Sequence, residues 1–109
     1  MKAIVYSISC PILKRIIYVG ASYSFNTRKK AHRCGNYRTE IGKYVKSLRL
    51  MGYFPIFDII EEYHINNHLE TYKMYAREQF YIDLFTGDGI ELLNQKYGTA
   101  GVGTKSKKK

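Results

Sequence analysis

The segment RKKAH, residues 28–32, carries an arginine and a histidine at a spacing that lets them act together. Arg28 and His32 are four residues apart, and residues at this spacing share one face of a helix. Ser24 is a suitable N-cap for a helix over residues 25–33. Because neither residue is an acid, the two do not form a stabilising ion pair. They are either two solvated basic side chains or a functional pair.

Glu78 is an acid in apolar surroundings on the longest predicted helix, which spans residues 67–85. Its neighbours at helical spacing are Met74, Tyr75, Tyr81 and Ile82. Another seam of this helix consists of Leu69, Tyr72, Ala76, Phe80 and Asp83. Burial of an unpaired carboxylate is costly. Glu78 therefore needs a partner, which is either a structural arginine or a metal ion.

Two tyrosines lie in alternating segments that predict a β-hairpin at the start of the chain. The first strand contains IVYSI with Tyr6, and the second contains IIYVG with Tyr18. The residues that share a face of the second strand are Ile16, Tyr18 and Gly20. Folding this hairpin about Ile12 places Tyr6 roughly opposite Tyr18. The two rings are either simple cross-strand packing or part of a site.

The remaining pattern completes a single domain. A helix is predicted from Thr39 or Glu40 to Met51, ended by Gly52, and its apolar stripe is Ile41, Tyr44, Val45, Leu48 and Met51 or Leu50. FPIFDIIEEY predicts a third strand over residues 55–62. The expected fold class is α/β (α+β), with a small antiparallel three-stranded sheet flanked by helices. Residues 1–94 form this domain, and residues 95–109 form a flexible basic tail.

The charge distribution predicts a polyanionic partner. The formal net charge is +9, and the segment from Arg28 to Arg49 has eight basic residues against one acid. A basic half on a small domain is typical of nucleic-acid binding, and the alternative is a solubilising surface. Beyond Arg28, the predicted DNA-contacting residues are Lys29, Lys30, Arg33, Arg38, Lys43, Lys46 and Arg49.

Other features argue against several kinds of site and location. Cys10 and Cys34 form no CxxC pair and have no zinc-type spacing, so we expect reduced thiols. The sequence shows no signal-peptide pattern and no apolar run long enough to cross a membrane. We therefore expect no membrane partner, no small-molecule cofactor and a protein that is not secreted.

Taken in order, these residues resemble the GIY-YIG nuclease family. IVY at residues 4–6 and YVG at residues 18–20 take the places of the two signature tripeptides, with Ile4 where the family has its first glycine. GASYSFNTRKKAH matches the stretch that ends in the family's arginine and histidine. AREQFYIDLF resembles the helix that carries its glutamate, and LLN supplies its asparagine. The resemblance covers residues 3–94.

The resemblance implies a metal-dependent DNA endonuclease whose catalytic residues are Tyr6, Tyr18, Arg28, His32, Glu78 and Asn94. It implies that one divalent ion, Mg²⁺ or Mn²⁺, is bound by Glu78. Arg28 would contact the scissile phosphate, and Asn94 would hold the geometry of the site. Tyr6 is the first candidate for deprotonating the attacking water, but its role relative to the second tyrosine and the histidine is left open.

Small members of this family often belong to phages, viruses or mobile elements, which implies a cytoplasmic location or a host-cell compartment that holds nucleic acid. Two other functions are weighed against an endonuclease. One is a catalytically inactive nucleic-acid-binding module of the same fold, which the complete set of polar residues disfavours. The other is a basic protein-interaction domain, which the net charge of +9 disfavours. The target DNA and the oligomeric state are left open.

Overall fold

The structure is a computed structural model that describes residues 1–34 and 39–94. Its elements, in chain order, are β1 (Lys2–Cys10), β2 (Arg15–Ser22), α1 (Phe25–Cys34), α2 (Glu40–Leu50), β3 (Ile56–His64) and α3 (Thr71–Gly87), with a 3₁₀ turn at His68–Glu70. The described residues form the predicted α+β fold, an antiparallel sheet of three strands in the order β2-β1-β3. None of these helices is long and apolar enough to cross a membrane. Arg38 and the predicted tail, residues 95–109, lie outside the described residues.

The sheet separates two apolar layers, because alternate residues of a strand point to opposite faces. The layer between the sheet and α2 contains Ile4, Tyr6, Ile8, Ile41, Val45 and Leu48. The layer between the sheet and α3 contains Ala3, Val5, Val19, Ala21, Met74 and Ile82. The central strand, β1, supplies residues to both layers and is almost completely buried.

A β-bulge in the hairpin changes the predicted pairing of the tyrosines. The register of β1 with β2 shifts at Ile17, which has no partner on β1. The prediction that Tyr6 lies roughly opposite Tyr18 is wrong, since Tyr6 pairs with Gly20. The turn is centred between Ile12 and Leu13, where Cys10 pairs with Arg15, and the bulge shifts the register by one further residue. Both tyrosines contact the layer on the α2 side, whereas Ile16, which was predicted to share a face with Tyr18, packs in the layer on the α3 side. The tyrosines are diagonal neighbours on one face.

The two ends of α2 agree with the sequence. Thr39 is the N-cap, and its side chain accepts a hydrogen bond of 3.0 Å from the N–H of Gly42. Gly52 follows the helix with a φ of +88°, a conformation that favours glycine. The prediction that the apolar stripe of α2 extends to Leu50 or Met51 is wrong, however, because these residues are 79% and 58% exposed.

The buried face of α3 differs from the seam expected from Leu69 and Tyr72. These two residues are 85% and 66% exposed, whereas Met74 and Ile82 are buried. Leu69 belongs to the 3₁₀ turn, so it does not continue the periodicity of the helix. Because the sheet covers only one side of α3, the face that carries Glu78 is the one directed at the sheet.

Gly20 is required by the close approach of the buried Tyr6 ring. A Cβ at position 20 would overlap Cζ and Oη of Tyr6. We expect Gly20→Ala to lower the free energy of unfolding by about 1 to 3 kcal/mol, because the ring must move within a packed core. Urea denaturation measures this loss.

Gly87→Ala is the matched control, because a Cβ there would have no atom within 4 Å. It should be neutral or stabilise the protein by up to about 1 kcal/mol. Equal losses of stability in the two variants would show that the close contact between Gly20 and Tyr6 is not the cause of the effect.

Candidate active site

His32 of α1 lies between the two tyrosines of the hairpin. Its Nε2 is 2.8 Å from the hydroxyl oxygen of Tyr6. Its ring centroid is 5.2 Å from that of Tyr18, in an edge-on arrangement. α1 brings His32 here because the helix begins directly after β2, where the carbonyl of Ser24 accepts a 3.0 Å hydrogen bond from the N–H of Arg28. The three aromatic side chains therefore form one connected group.

Burial makes both members of the hydrogen-bonded pair neutral. It lowers the pKa of His32 from 6.5 to about 4, and the positive charge of Arg28 contributes in the same direction. Burial also raises the pKa of Tyr6, with a further rise from Tyr18 and an opposing effect from Arg28. At neutral pH the site therefore holds an uncharged imidazole and a protonated phenol in contact.

Arg28 lines a cleft of about 160 Å³ next to this pair. The other described residues that line the cleft are Tyr18, Ala31, His32, Thr39, Ile41 and Gly42. Burial raises the pKa of Tyr6, Tyr18 and Glu78, and the charge of Arg28 opposes the rise at each group. The guanidinium is thus within electrostatic reach of all three. Because the residue is exposed, an anion from solvent can reach it.

Glu78 reaches the same region from α3. Its carboxylate accepts a hydrogen bond from the backbone N–H of Ala21 on β2. Burial raises the pKa of Glu78 to about 7, although Arg28 and the Ala21 hydrogen bond oppose this. No salt bridge within residues 1–34 and 39–94 includes Glu78. The adjacent arginine, Arg77, binds Glu61 instead, at 2.8 Å.

The surroundings of Glu78 fit a small divalent cation. Mg²⁺ is commonly bound by one or two carboxylates, with water and phosphate oxygens as its other ligands. A half-buried carboxylate that makes no salt bridge with residues 1–34 and 39–94, and that is within electrostatic reach of Arg28, offers such a ligand. Within the described part of the chain, no group of three or more His, Cys, Asp or Glu side chains is arranged to hold a metal.

Asn94 binds the edge of β2 instead of lining the cleft. The N–H of Val19 donates to Oδ1 at 3.1 Å, and Nδ2 donates to the carbonyl of Val19 at 2.6 Å. Next to it, the N–H of Leu93 donates to the carbonyl of Ile17 at 2.7 Å. The amide thus takes the place of a neighbouring strand beside Tyr18. If Asn94 holds the geometry of the site, as the resemblance implies, it would do so through these hydrogen bonds to β2.

Phe57 of β3 contacts the site, although it is not among the site residues predicted from the sequence. Its ring centroid is 6.3 Å from that of His32. The ammonium of Lys29 and the guanidinium of Arg33 each lie 5.8 Å from the same ring. The ring therefore supports the basic side of α1. No local signal identifies it, because Phe57 is one of several apolar residues in its strand.

Among the described residues, the other predicted DNA contacts lie on α1 and α2. Lys30 is exposed on α1. Lys43 pairs with Glu40 at 3.7 Å. Lys46 and Arg49 line a second groove, at the end of α2. DNA contact by these residues stays a prediction.

Comparison with known proteins identifies no relative of this chain. A scan of the chain against protein-family models finds no match, and searches of curated proteins and of solved structures find none either. The resemblance to GIY-YIG nucleases therefore rests on the residues of this chain and their arrangement.

Glu78 and His32 give opposite pH dependences to stability. The folded-state pKa of Glu78, about 7, lies above the ordinary value of 4.5, so its contribution to the free energy of unfolding falls as pH rises through this window. The folded-state pKa of His32, about 4, lies below 6.5, so its contribution falls as pH decreases from 6.5 to about 4. The two effects partly cancel in the wild-type protein.

Glu78→Gln should remove the first effect. Without metal at about pH 8, we expect the free energy of unfolding to rise by about 1 to 3 kcal/mol, since a desolvated charge is replaced by a neutral amide. On acidification the variant should lose stability more steeply than the wild type, because only His32 then acts. Urea denaturation across this pH range measures both.

Glu62→Gln is the control, because Glu62 is exposed and pairs with Lys2 at 3.2 Å. It should change stability by less than about 1 kcal/mol. A marked loss of stability in Glu78→Gln at about pH 8 would mean that the carboxylate has a structural partner.

Proposed function

We propose that this protein is a DNA endonuclease of the GIY-YIG type, which hydrolyses phosphodiester bonds with one divalent ion. The observation that carries the proposal is that four separate elements bring five of the six residues selected by the sequence resemblance into one connected group. Tyr18, Arg28 and His32 line the cleft, Tyr6 contacts His32, and Glu78 is within electrostatic reach of Arg28. They supply a neutral proton-transfer pair, an accessible cation and a carboxylate that makes no salt bridge with the described residues, which together suit phosphodiester hydrolysis.

Arg28 binds the scissile phosphate in this proposal. Its planar guanidinium can donate two parallel hydrogen bonds to phosphate oxygens. Its charge is accessible to a phosphate because the residue is exposed at the cleft, next to groups that burial shifts toward their neutral forms. Negative charge that grows on the phosphoryl oxygens during the reaction is therefore stabilised by a cation already in position.

Tyr6 and His32 transfer the proton of the attacking water. A bond forms between the water oxygen and phosphorus, and the bond from phosphorus to the leaving oxygen breaks. The water proton moves to the Tyr6 oxygen while the Tyr6 hydroxyl proton moves to Nε2 of His32, across the 2.8 Å hydrogen bond. The leaving oxygen takes a proton from solvent. A concerted transfer is favoured because burial raises the pKa of Tyr6 and disfavours a free phenolate.

Substrate binding would make His32 a better proton acceptor. Burial and the positive charge of Arg28 together lower its pKa to about 4. A bound phosphate offsets the charge of Arg28, which removes part of that effect. Tyr18, whose ring contacts His32, is positioned to orient the attacking water.

A divalent ion, Mg²⁺ or Mn²⁺, held by Glu78 would supply further stabilisation of negative charge on the phosphate. The Ala21 N–H orients the carboxylate that binds it. Burial favours the neutral acid, and a bound cation would add to the effect of Arg28 and the Ala21 N–H in favouring the ionised form.

Nicking of supercoiled plasmid tests the proposed activity. The wild-type protein should produce open-circular DNA with Mg²⁺ and none with a chelator, and Glu78→Ala should abolish nicking while DNA binding persists. Glu62→Ala, which removes an exposed carboxylate on β3, should nick normally. Binding without nicking by the wild type would instead favour the inactive binding module of the same fold, and nicking by Glu78→Ala would exclude Glu78 as the required metal ligand.

Arg28→Ala and Lys29→Ala separate catalysis from binding at adjacent positions. Arg28 lines the cleft, whereas the ammonium of Lys29 lies over the rings of Phe25 and Phe57 at 5.6 and 5.8 Å. At saturating DNA, Arg28→Ala should lower the single-turnover rate by roughly 10² to 10³-fold, as for loss of one transition-state donor. Lys29→Ala should weaken binding modestly and leave that rate nearly unchanged. Equal rate losses would contradict the assignment.

A further inference from the structure

A groove at the end of α2 combines positive charge with an exposed aromatic ring. Its volume is about 270 Å³, and the described residues that line it are Lys46, Arg49, Leu50 and Phe54. Phe54 is 65% exposed and Leu50 is 79% exposed. Phenylalanine and leucine are among the residue types most often buried in folded proteins. An exposed pair of them beside two cations is therefore complementary to a ligand that has both an apolar part and a negative charge.

The charge of Arg49 is held in place by the fold. Its Nη1 donates a 2.8 Å hydrogen bond to the carbonyl of Arg33, in the last turn of α1. This bond uses one of the five N–H donors of the guanidinium. Arg49 also lines the groove, where a phosphate could accept from the guanidinium, and this hydrogen bond orders the group before a ligand arrives. A cation ordered in advance loses less side-chain entropy on binding.

The groove is connected to the candidate active site along the basic side of α1 and α2. Arg33 contacts both ends of this path, since its carbonyl binds Arg49 and its guanidinium lies over the Phe57 ring beside His32. Thr39, the N-cap of α2, lines the active-site cleft and precedes Arg49 by ten residues. At 1.5 Å per residue this is a rise of about 15 Å, the length of a few nucleotides. One DNA strand is long enough to occupy both places.

We infer that this groove binds an unpaired nucleotide of the DNA substrate, with the base against Phe54 and Leu50 and its phosphates at Lys46 and Arg49. Proteins that bind single strands combine a basic groove with aromatic rings on which bases stack. In an intact duplex the faces of a base are covered by its neighbours, so the ring has nothing to stack on. An apolar protein partner would leave the two cations against an apolar surface, which is costly.

This inference rests on the proposed function and specifies its substrate class. The preferred substrate is DNA with unpaired nucleotides a few steps from the cleaved bond, as in a gap or a branch.

Fluorescence anisotropy with Phe54→Leu tests the groove. Two labelled DNAs are compared in the presence of a chelator, an intact duplex and the same duplex with a short single-stranded gap. The wild type should bind the gapped DNA more tightly. Phe54→Leu should weaken binding of gapped DNA by roughly 5-fold to 100-fold, which corresponds to about 1 to 3 kcal/mol for a lost stack. Binding of the duplex should change little.

Tyr53→Leu is the matched control, because Tyr53 is an adjacent aromatic residue, 46% exposed, that does not line the groove. It should leave both affinities unchanged. Lys46→Gln should weaken binding of both DNAs and reduce the salt dependence by about one charge. With 2-aminopurine in the gap, the wild type should quench its fluorescence more than Phe54→Leu does.

The outcomes separate this inference from the proposed function. If the wild type nicks plasmid but does not prefer gapped DNA, the groove has been wrongly assigned and the endonuclease proposal stands. The same holds if Phe54→Leu and Tyr53→Leu lose equal affinity for gapped DNA. If the wild type binds neither DNA, both proposals fail. Melting curves of each variant show whether the fold is retained, and Phe54 is exposed enough for its replacement to leave the core intact.

Discussion

The packing of the Tyr6 ring on Gly20 is the contact on which the candidate site depends. The ring occupies the space that a side chain at position 20 would need, and it is fully buried there. This fixes the direction of its hydroxyl group, which meets Nε2 of His32. One contact thus connects the central strand, its partner strand and α1. The tyrosine is held by the core itself, so its position is as rigid as the packing around it.

Desolvation determines the charge state of the site. It raises the pKa of Tyr6, Tyr18 and Glu78 and lowers that of His32, so each group is shifted toward its neutral form. The guanidinium of Arg28 is exposed at the cleft. The result is an accessible cation next to groups that are neutral or easily neutralised, an environment that favours an anion. A phosphate and a divalent ion would complete this charge balance from outside the protein.

A second polar network sets the orientation of α3 on the sheet. Glu61 of β3 accepts hydrogen bonds from Arg77 at 2.8 and 3.1 Å and from the hydroxyl of Tyr81 at 2.7 Å. Hydrogen bonds from both residues lower the pKa of Glu61, so the network is maintained at neutral pH. Arg77 is held against β3, whereas its neighbour Glu78 lies near Ala21 of β2. One orientation of α3 therefore accounts both for the paired acid on β3, Glu61, and for Glu78, which makes no salt bridge with the described residues.

The sequence by itself determined the elements and the polar residues of the candidate site. The alternation around Tyr6, the start of a helix at Thr39 or Glu40 and its end at Gly52 are read from neighbours in the chain, which is why these features were predictable. The pairing of Tyr6 with Gly20, the buried face of α3 and the exposed ring of Phe54 were decided only in the tertiary structure. Each depends on segments far apart in sequence. The pairing of Tyr6 depends on the register of two strands, which a single bulged residue changes. The burial of a residue on α3 or at position 54 depends on which surfaces pack against it. The same reason applies to the neutral state of His32, since desolvation exists only once the sheet, α1 and β3 have packed around it.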